Sequence, residues 1–351
     1  PSAILMDAGT GTVLFEKNPH EKMEPASITK IMTMLIVFEA IESGKVKLSD
    51  TVRVSERAWK TGGSQVFLGP GEEQTLETLL KCIVVASAND ASVAVAEYIG
   101  GSVEGFVKLM NDKAKQLGME NTNFTNPHGL SDPEHYTAYD IALMSRELVK
   151  YPMLFKWSTI WMDYLEHTDK ERDPTMLANT NKLLGKYEGL DGLKTGYHSK
   201  AGHCFAGTAK RGDLRLISVV LNAPSSNQRF EDTVKLLDYG FGHYDSIKVA
   251  ERGMVQKTIP VEKGHVNEVN VIVTEDVSIL IEKGKDVQIN TKIDVPEKLF
   301  APLNKNQAVG TLTVEHNGQV IKQIDLVVSE DVIKAGILDL LKRVFSKWLS
   351  F

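Results

Sequence analysis

The periodicity of the chain changes near residue 246, and that change limits what it can fold into. From there "VNVIVTEDVSILIEKG", "VQINTKIDV" and "GTLTVEHNGQVIKQIDLVV" alternate apolar and polar residues with period two and are rich in Val, Ile and Thr. Such alternation specifies strands with one buried face. Asn317-Gly318 sits between two of these runs and specifies a tight hairpin, since both residues tolerate the positive φ of its turn. Residues 246–330 therefore read as a separate all-β domain. It carries no internal repeat and no cluster of catalytic residue types.

The first 245 residues follow another plan. "SAILMDAGTGTVLFEK" reads as two strands around a turn. Gly9 and Gly11 lack the third glycine of a dinucleotide fingerprint and are turn residues. Helical stretches follow over 26–43, from Thr75, from Ala91, in "VEGFVKLMNDKAKQLG" and in "TAYDIALMSRELVKY", the last stopped by Pro152. Residues 153–190 read as an irregular polar excursion. Strands return with "GLKTGYHS", "GHCFAGTAK" and "LRLISVVLN"; Ser226 then opens a helix that Gly240 is expected to close. Strands from both ends of the chain, with helices between them, make an α+β layered domain over residues 1–245. Arg211-Gly212-Asp213 joins two apolar strands and reads as a hairpin turn, not an adhesion signal.

Composition excludes several functions. The 351 residues are 42% hydrophobic and 25% charged, as in ordinary globular proteins. A net charge of -6 argues against general nucleic-acid binding. No apolar run reaches the roughly 18 residues of a membrane span. Cys82 and Cys204 lie in apolar surroundings and read as buried thiols, not as a disulfide framework. A chain opening at Pro1 fits a removed signal peptide, although any trimmed terminus looks the same. Neither H-E-x-x-H, paired Cys-x-x-Cys nor a G-x-S-x-G elbow occurs, so no metal or cofactor is expected and a Ser-His-Asp hydrolase is disfavoured.

Three short motifs remain: Ser27-Ile28-Thr29-Lys30, Ser87-Ala88-Asn89 and Lys194-Thr195-Gly196. Two have duplicates, in Lys60-Thr61-Gly62 and Ser225-Ser226-Asn227. Lys60 lies in a loop, whereas Lys194 opens a strand that presents a rigid edge. Ser225 follows Pro224 and reads as a helix cap, whereas Ser87 interrupts two apolar helical runs and faces a cleft. Ser27–Lys30 is the sole S-x-x-K. Its bland reading is a capping serine and a lysine that snorkels to water.

With these motifs the chain resembles the serine D-Ala-D-Ala carboxypeptidases of the low-molecular-mass penicillin-binding protein family. "FLGPGE", "NFTNPHGL" and "NTNKLL" extend the likeness over nearly the whole chain. The resemblance implies a penicillin-binding/serine β-lactamase-like transpeptidase domain over 1–245, the small all-β domain over 246–330, and an amphipathic helix over 331–351. It implies removal of the terminal D-alanine from peptidoglycan stem pentapeptides, and acylation by β-lactams.

The chemistry explains the residue types. A serine hydroxyl needs a base within hydrogen-bond reach, and Lys30 can serve if burial and a second cation remove its proton. Lys194 supplies that cation, and Ser87 can relay a proton between the lysines. Asn89 can hold a substrate peptide group, while Lys194 and Thr195, followed by Gly196, can bind a terminal carboxylate. By resemblance the oxyanion hole comes from the backbone N–H groups of Ser27 and Tyr197, each worth about 3 kcal/mol, and Arg229 stands near the carboxylate site. Its plain alternative is a helix-surface charge. Two positions depart from the commoner pattern: Ala88, where Gly or Asp is usual, and Tyr197, where histidine is frequent. His128 reads as a turn residue packed beneath the site.

A β-lactamase would share the motifs, but residues 150–190 lack the E-x-x-x-N stretch that activates its deacylating water. A β-lactam sensor usually carries a membrane-spanning segment. In the tail, Ile333, Ile337, Leu340, Leu341, Val344, Phe345 and Trp348 share one helical face opposite Lys342, Arg343 and Lys347. That pattern suits a helix lying in an anionic membrane surface, on the outer face of a bacterial cytoplasmic membrane.

Overall fold

The computed structural model describes residues 1–130, 135–285 and 287–336. They fall into two compact units, one over Pro1–His243 and one beginning at Tyr244.

The first unit is built on a five-stranded antiparallel sheet. Its order is Val13–Lys17, Ser2–Asp7, Leu214–Ala223, Gly202–Arg211 and Leu190–His198. The N-terminal strand thus pairs with one from the far end of the unit, Leu5 opposite Ser218. Ile4, Leu5 and Met6 are all buried, as a strand covered on both faces requires. Helix Ser226–His243 packs on the two strands at 202–223, and helix Ala138–Leu148 on strands Ser2–Asp7 and Leu214–Ala223. Helix Lys30–Glu42 is buried on every side from Ile31 to Phe38, and so runs through the core as a central helix. Around it pack helices Leu76–Ala86, Asn89–Gly100 and Val103–Gln116.

Two expectations need correction here. Gly240 does not end its helix, which continues to His243. A Cβ at Gly240 would lie 2.5 Å from Leu216 Cδ1 and 2.9 Å from Leu5 Cδ2, so this glycine lets the helix seat closely on the sheet. Residues 153–190 are also more ordered than their polarity suggests. They hold a short helix, Leu154–Ser158, and a hairpin of strands Met162–Leu165 and Thr175–Ala178. Lys81 fixes that hairpin through Asp163 at 2.6 Å.

In the second unit six strands follow the order Ile289–Asp294, Ala308–His316, Gln319–Val328, Glu268–Val273, Val255–Glu262 and Leu299–Phe300. A second pair joins Tyr244–Ala250 to Val277–Glu282. The alternating residues Val269, Val271, Val273, Ile324, Leu326 and Val328 make its core. Asn317 and Gly318 take φ of 50° and 80° in the hairpin turn. Residues 331–336 run extended, with bridges from Val332 to Leu303 and from Lys334 to Gly264. The rest of the anticipated tail helix, 337–351, lies outside the described residues. Among the described residues no helix is long and apolar enough to cross a membrane.

Cys82 and Cys204 are free and buried. Burial pushes the Cys82 thiol up to about 12 and that of Cys204 up to about 11, so both stay protonated and unreactive.

Candidate active site

Ser27 belongs to a 3-10 turn, Ala26–Thr29, that feeds directly into helix Lys30–Glu42. It caps nothing, and Lys30 does not snorkel: the lysine is fully buried. Lys30 Nζ donates to Asn89 Oδ1 at 2.6 Å, to the His128 carbonyl at 2.8 Å and to Ser27 Oγ at 3.1 Å. The amide and carbonyl oxygens can only accept, whereas a hydroxyl can also donate. A neutral amine has two N–H groups and one lone pair. Were the amine neutral, the two obligate acceptors would take its N–H groups and its lone pair would be left for Ser27.

The serine turn is wedged between two close backbones. A Cβ at Gly196 would sit 2.5 Å from the Pro25 carbonyl, and one at Gly129 only 2.0 Å from the Ala26 carbonyl. Both positions therefore require glycine. Ala26 itself takes a φ of 51°, unfavourable for a residue with a side chain, and the packing on either side holds it there.

Ser87 ends helix Leu76–Ala86 in the left-handed region, φ 60°, and Asn89 begins the next helix. Both side chains are buried. Asn89 Nδ2 donates to the Gly62 carbonyl at 2.9 Å, and its backbone N–H donates to the Ser64 carbonyl at 2.7 Å. The asparagine thus braces Lys30 against a loop, with both ends of its amide engaged. Among the described residues Ser87 Oγ hydrogen-bonds neither lysine, so the anticipated relay is not connected in this state. Lys60 of the duplicate K-T-G is exposed and pairs with Glu56 at 3.0 Å, although Gly62 of the same triplet reaches the site through its carbonyl.

Lys194, Thr195 and Gly196 lie on Leu190–His198, an edge strand of the sheet, and this strand packs against the serine turn. Lys194 is 1% exposed and donates to the Thr195 carbonyl at 3.1 Å. Burial, aided by the nearby Arg229 charge, pulls its ammonium down to about 7. Thr195 Oγ1 donates to Thr180 Oγ1 at 2.7 Å, which ties the "NTNKLL" segment to the strand. Tyr197 points its ring outward, 62% exposed, and stacks on His203 with centroids 4.4 Å apart. Arg229 is buried, not a helix-surface charge. Its Nη1 donates to the carbonyls of Gly196 at 3.0 Å and Cys204 at 3.2 Å, so it clamps the strand from behind.

His128 is a turn residue beneath the site. Its Nδ1 accepts from the Leu130 N–H at 3.1 Å, and burial with the Lys30 charge depresses it to about 3, so the ring is neutral. Asn126 Oδ1 holds this turn by accepting from His128 and Gly129 N–H. Sequence reasoning missed the His128 carbonyl, Gly62, Gly129 and Thr180. Three of these act through backbone, where no side-chain type reports the role.

The chain matches known families over both units. A family model described as D-alanyl-D-alanine carboxypeptidase matches residues 1–225, and one described as Penicillin-binding protein 5, C-terminal domain, matches residues 244–334. The chain is 44% identical to D-alanyl-D-alanine carboxypeptidase DacF of Bacillus subtilis, over 100% of this chain and 90% of that protein. Penicillin-binding protein 5 of Haemophilus influenzae superposes with a TM-score of 0.71 at 34% identity, covering 95% of this chain and 97% of that one. Penicillin-binding protein D2 of Listeria monocytogenes, solved in its ampicillin-bound form, gives 0.58 at 31% identity, over 68% of this chain and 96% of its own.

Proposed function

The chain belongs to the D-alanyl-D-alanine carboxypeptidase family of serine penicillin-binding proteins, and on that premise we propose how its residues carry the reaction. Ser27 Oγ attacks the penultimate D-Ala carbonyl of a peptidoglycan stem pentapeptide while Lys30 Nζ takes the hydroxyl proton. The tetrahedral intermediate places its oxyanion against the backbone N–H groups of Ser27 and Tyr197. It collapses with loss of D-alanine, whose nitrogen takes up a proton delivered through Lys30 and Ser87. Water then adds to the acyl-enzyme and Ser27 recovers its proton. Lys194 and Thr195 hold the substrate's terminal carboxylate, Asn89 positions Lys30, and Arg229 fixes the Lys194–Gly196 strand. One observation carries this reading: the fully buried Lys30 amine, held by the Asn89 and His128 oxygens, lies within hydrogen-bond reach of Ser27 Oγ.

A β-lactam presents the same carbonyl in a strained ring and leaves an acyl group on Ser27, as the ampicillin-bound relative suggests. The amphipathic pattern of the tail further supports attachment to the outer face of the cytoplasmic membrane, where lipid-linked substrate lies. The central test is D-alanine release from a pentapeptide, with fluorescent-penicillin labelling of the same sample. Ser27→Ala is expected to abolish both while the protein stays folded. Labelling that persists at Ser87 or Ser64 would overturn the assignment.

A further inference from the structure

The loop from Thr61 to Glu72 has one end in the active site and the other in a separate cavity. Gly62 and Ser64 offer their carbonyls to Asn89, as described above. A few residues on, Gln65, Phe67 and Glu72 line a cavity of about 560 Å³ together with Trp59, Asp169 and Arg172. Between the two ends, the Asp90 carboxylate accepts from the N–H groups of Val66 and Leu68, each at 3.1 Å. The cavity wall is therefore pinned to the helix that carries Asn89.

Phe67 is the unusual member. Its φ is 57°, a costly conformation for a bulky side chain, and its ring is 62% exposed to water. Neither burial nor backbone preference favours this arrangement, so its neighbours must impose it. Arg172 Nη2 donates to the Phe67 carbonyl, and Nη1 donates to Glu72 Oε2 at 3.0 Å. Glu72 is itself buried and accepts from Gly69 N–H at 2.7 Å and Gln74 Nε2 at 2.9 Å, with His167 Nδ1 at 3.0 Å. A buried polar network thus holds an aromatic ring out over a cavity, beside a Trp59 that is 45% exposed.

Exposed aromatic rings beside planar hydrogen-bonding groups suit the saturated ring of a sugar. The C–H faces of a pyranose carry partial positive charge and pack on the negative faces of aromatic rings. Its hydroxyl and acetamido groups pair with the amide, carboxylate and guanidinium that Gln65, Asp169 and Arg172 supply. We propose that this cavity is a subsite for an N-acetylated amino sugar of the glycan strand that bears the stem peptide. The inference rests on the carboxypeptidase reading and adds to it a contact with the substrate outside the residues that cut the bond.

The test compares kcat/KM for D-alanine release from a free pentapeptide and from the same peptide on its disaccharide. The wild-type protein is expected to favour the glycosylated form by about five- to tenfold. Trp59→Ala and Phe67→Gly should each bring that ratio close to one, with fluorescent penicillin reporting that Ser27 is still assembled. Glycine suits the Phe67 backbone, so this variant keeps its loop. Calorimetry with a tetramer of N-acetylglucosamine gives a second readout, independent of turnover. Binding that vanishes in both variants supports the subsite even if the free peptide is not cleaved, a result that would sink the carboxypeptidase reading alone. A wild-type ratio of one, or a preference unaltered in both variants, overturns the subsite.

Discussion

Asn89 Oδ1 lies 2.6 Å from Lys30 Nζ, nearer than the serine hydroxyl that the lysine is proposed to deprotonate. The asparagine thereby fixes where the amine points, and its neutrality matters as much as its reach. Asn89→Asp would set a carboxylate against the amine and favour the ammonium, which cannot act as a base. Acylation by a fluorescent penicillin is expected to fall at least ~100-fold, with the fold retained. Unchanged acylation would remove Lys30 from the role of base.

Lys194 gives a pH dependence whose sign can be worked out. Its ammonium is depressed to about 7, so it is charged below that pH and neutral above. Binding a terminal carboxylate requires the charge. The value of kcat/KM for a carboxylate-ended peptide should therefore decline as pH rises through about 7, while a C-terminally amidated analogue shows no such limb. Lys194→Ala should remove the distinction and slow acylation severely, whereas Lys60→Ala in the duplicate motif should leave penicillin acylation unaltered. The reverse pattern would mean that the wrong K-T-G had been chosen.

Gly196 tests the fit between strand and nucleophile. A methyl group there would stand 2.5 Å from the Pro25 carbonyl and drive the strand away from the serine turn. Gly196→Ala should lower stability by about 1–3 kcal/mol, read as a drop in denaturant midpoint. It should also lose acylation out of proportion to the unfolded fraction. A variant that is destabilised but fully active would show that the close approach serves packing alone.

The tail can be tested without disturbing the β unit. Val332 is buried there and bridges Leu303, so a truncation should begin beyond it. Removing residues 337–351 is expected to abolish co-sedimentation with anionic liposomes and to leave soluble-peptide hydrolysis intact. If the full-length protein ignores liposomes, the membrane anchor is refuted.

Much of the site could be read from the sequence because its chemistry resides in side chains with rigid spacing. Ser27 and Lys30 share a helical face, and the strand after Lys194 follows from its apolar run. What escaped was contributed by backbone or by packing. The His128 carbonyl that receives Lys30 is invisible in a list of residue types. Gly240 looked like a helix stop because glycine so often is one, yet here the absence of a Cβ serves contact with Leu216 and Leu5. The hairpin within 153–190 was hidden because its strands Met162–Leu165 and Thr175–Ala178 are short and mostly exposed, with little alternation to betray them. Both domains' longer strands were legible because burial on at least one face had shaped their composition.

The pairing of Leu5 with Ser218 has a bearing on when this protein becomes an enzyme. A chain that emerges amino end first presents Ser27 early, with Lys30 already beside it in sequence. Yet Ser2–Asp7 must wait for Leu214–Ala223 before it gains its inner neighbour, and the Lys194–Gly196 strand reaches the sheet only through that same late region. Contacts so distant along the chain form slowly. Ser27 is therefore synthesised well before the strands that complete its site, and a chain that stops short of Ala223 carries the serine without that strand edge beside it.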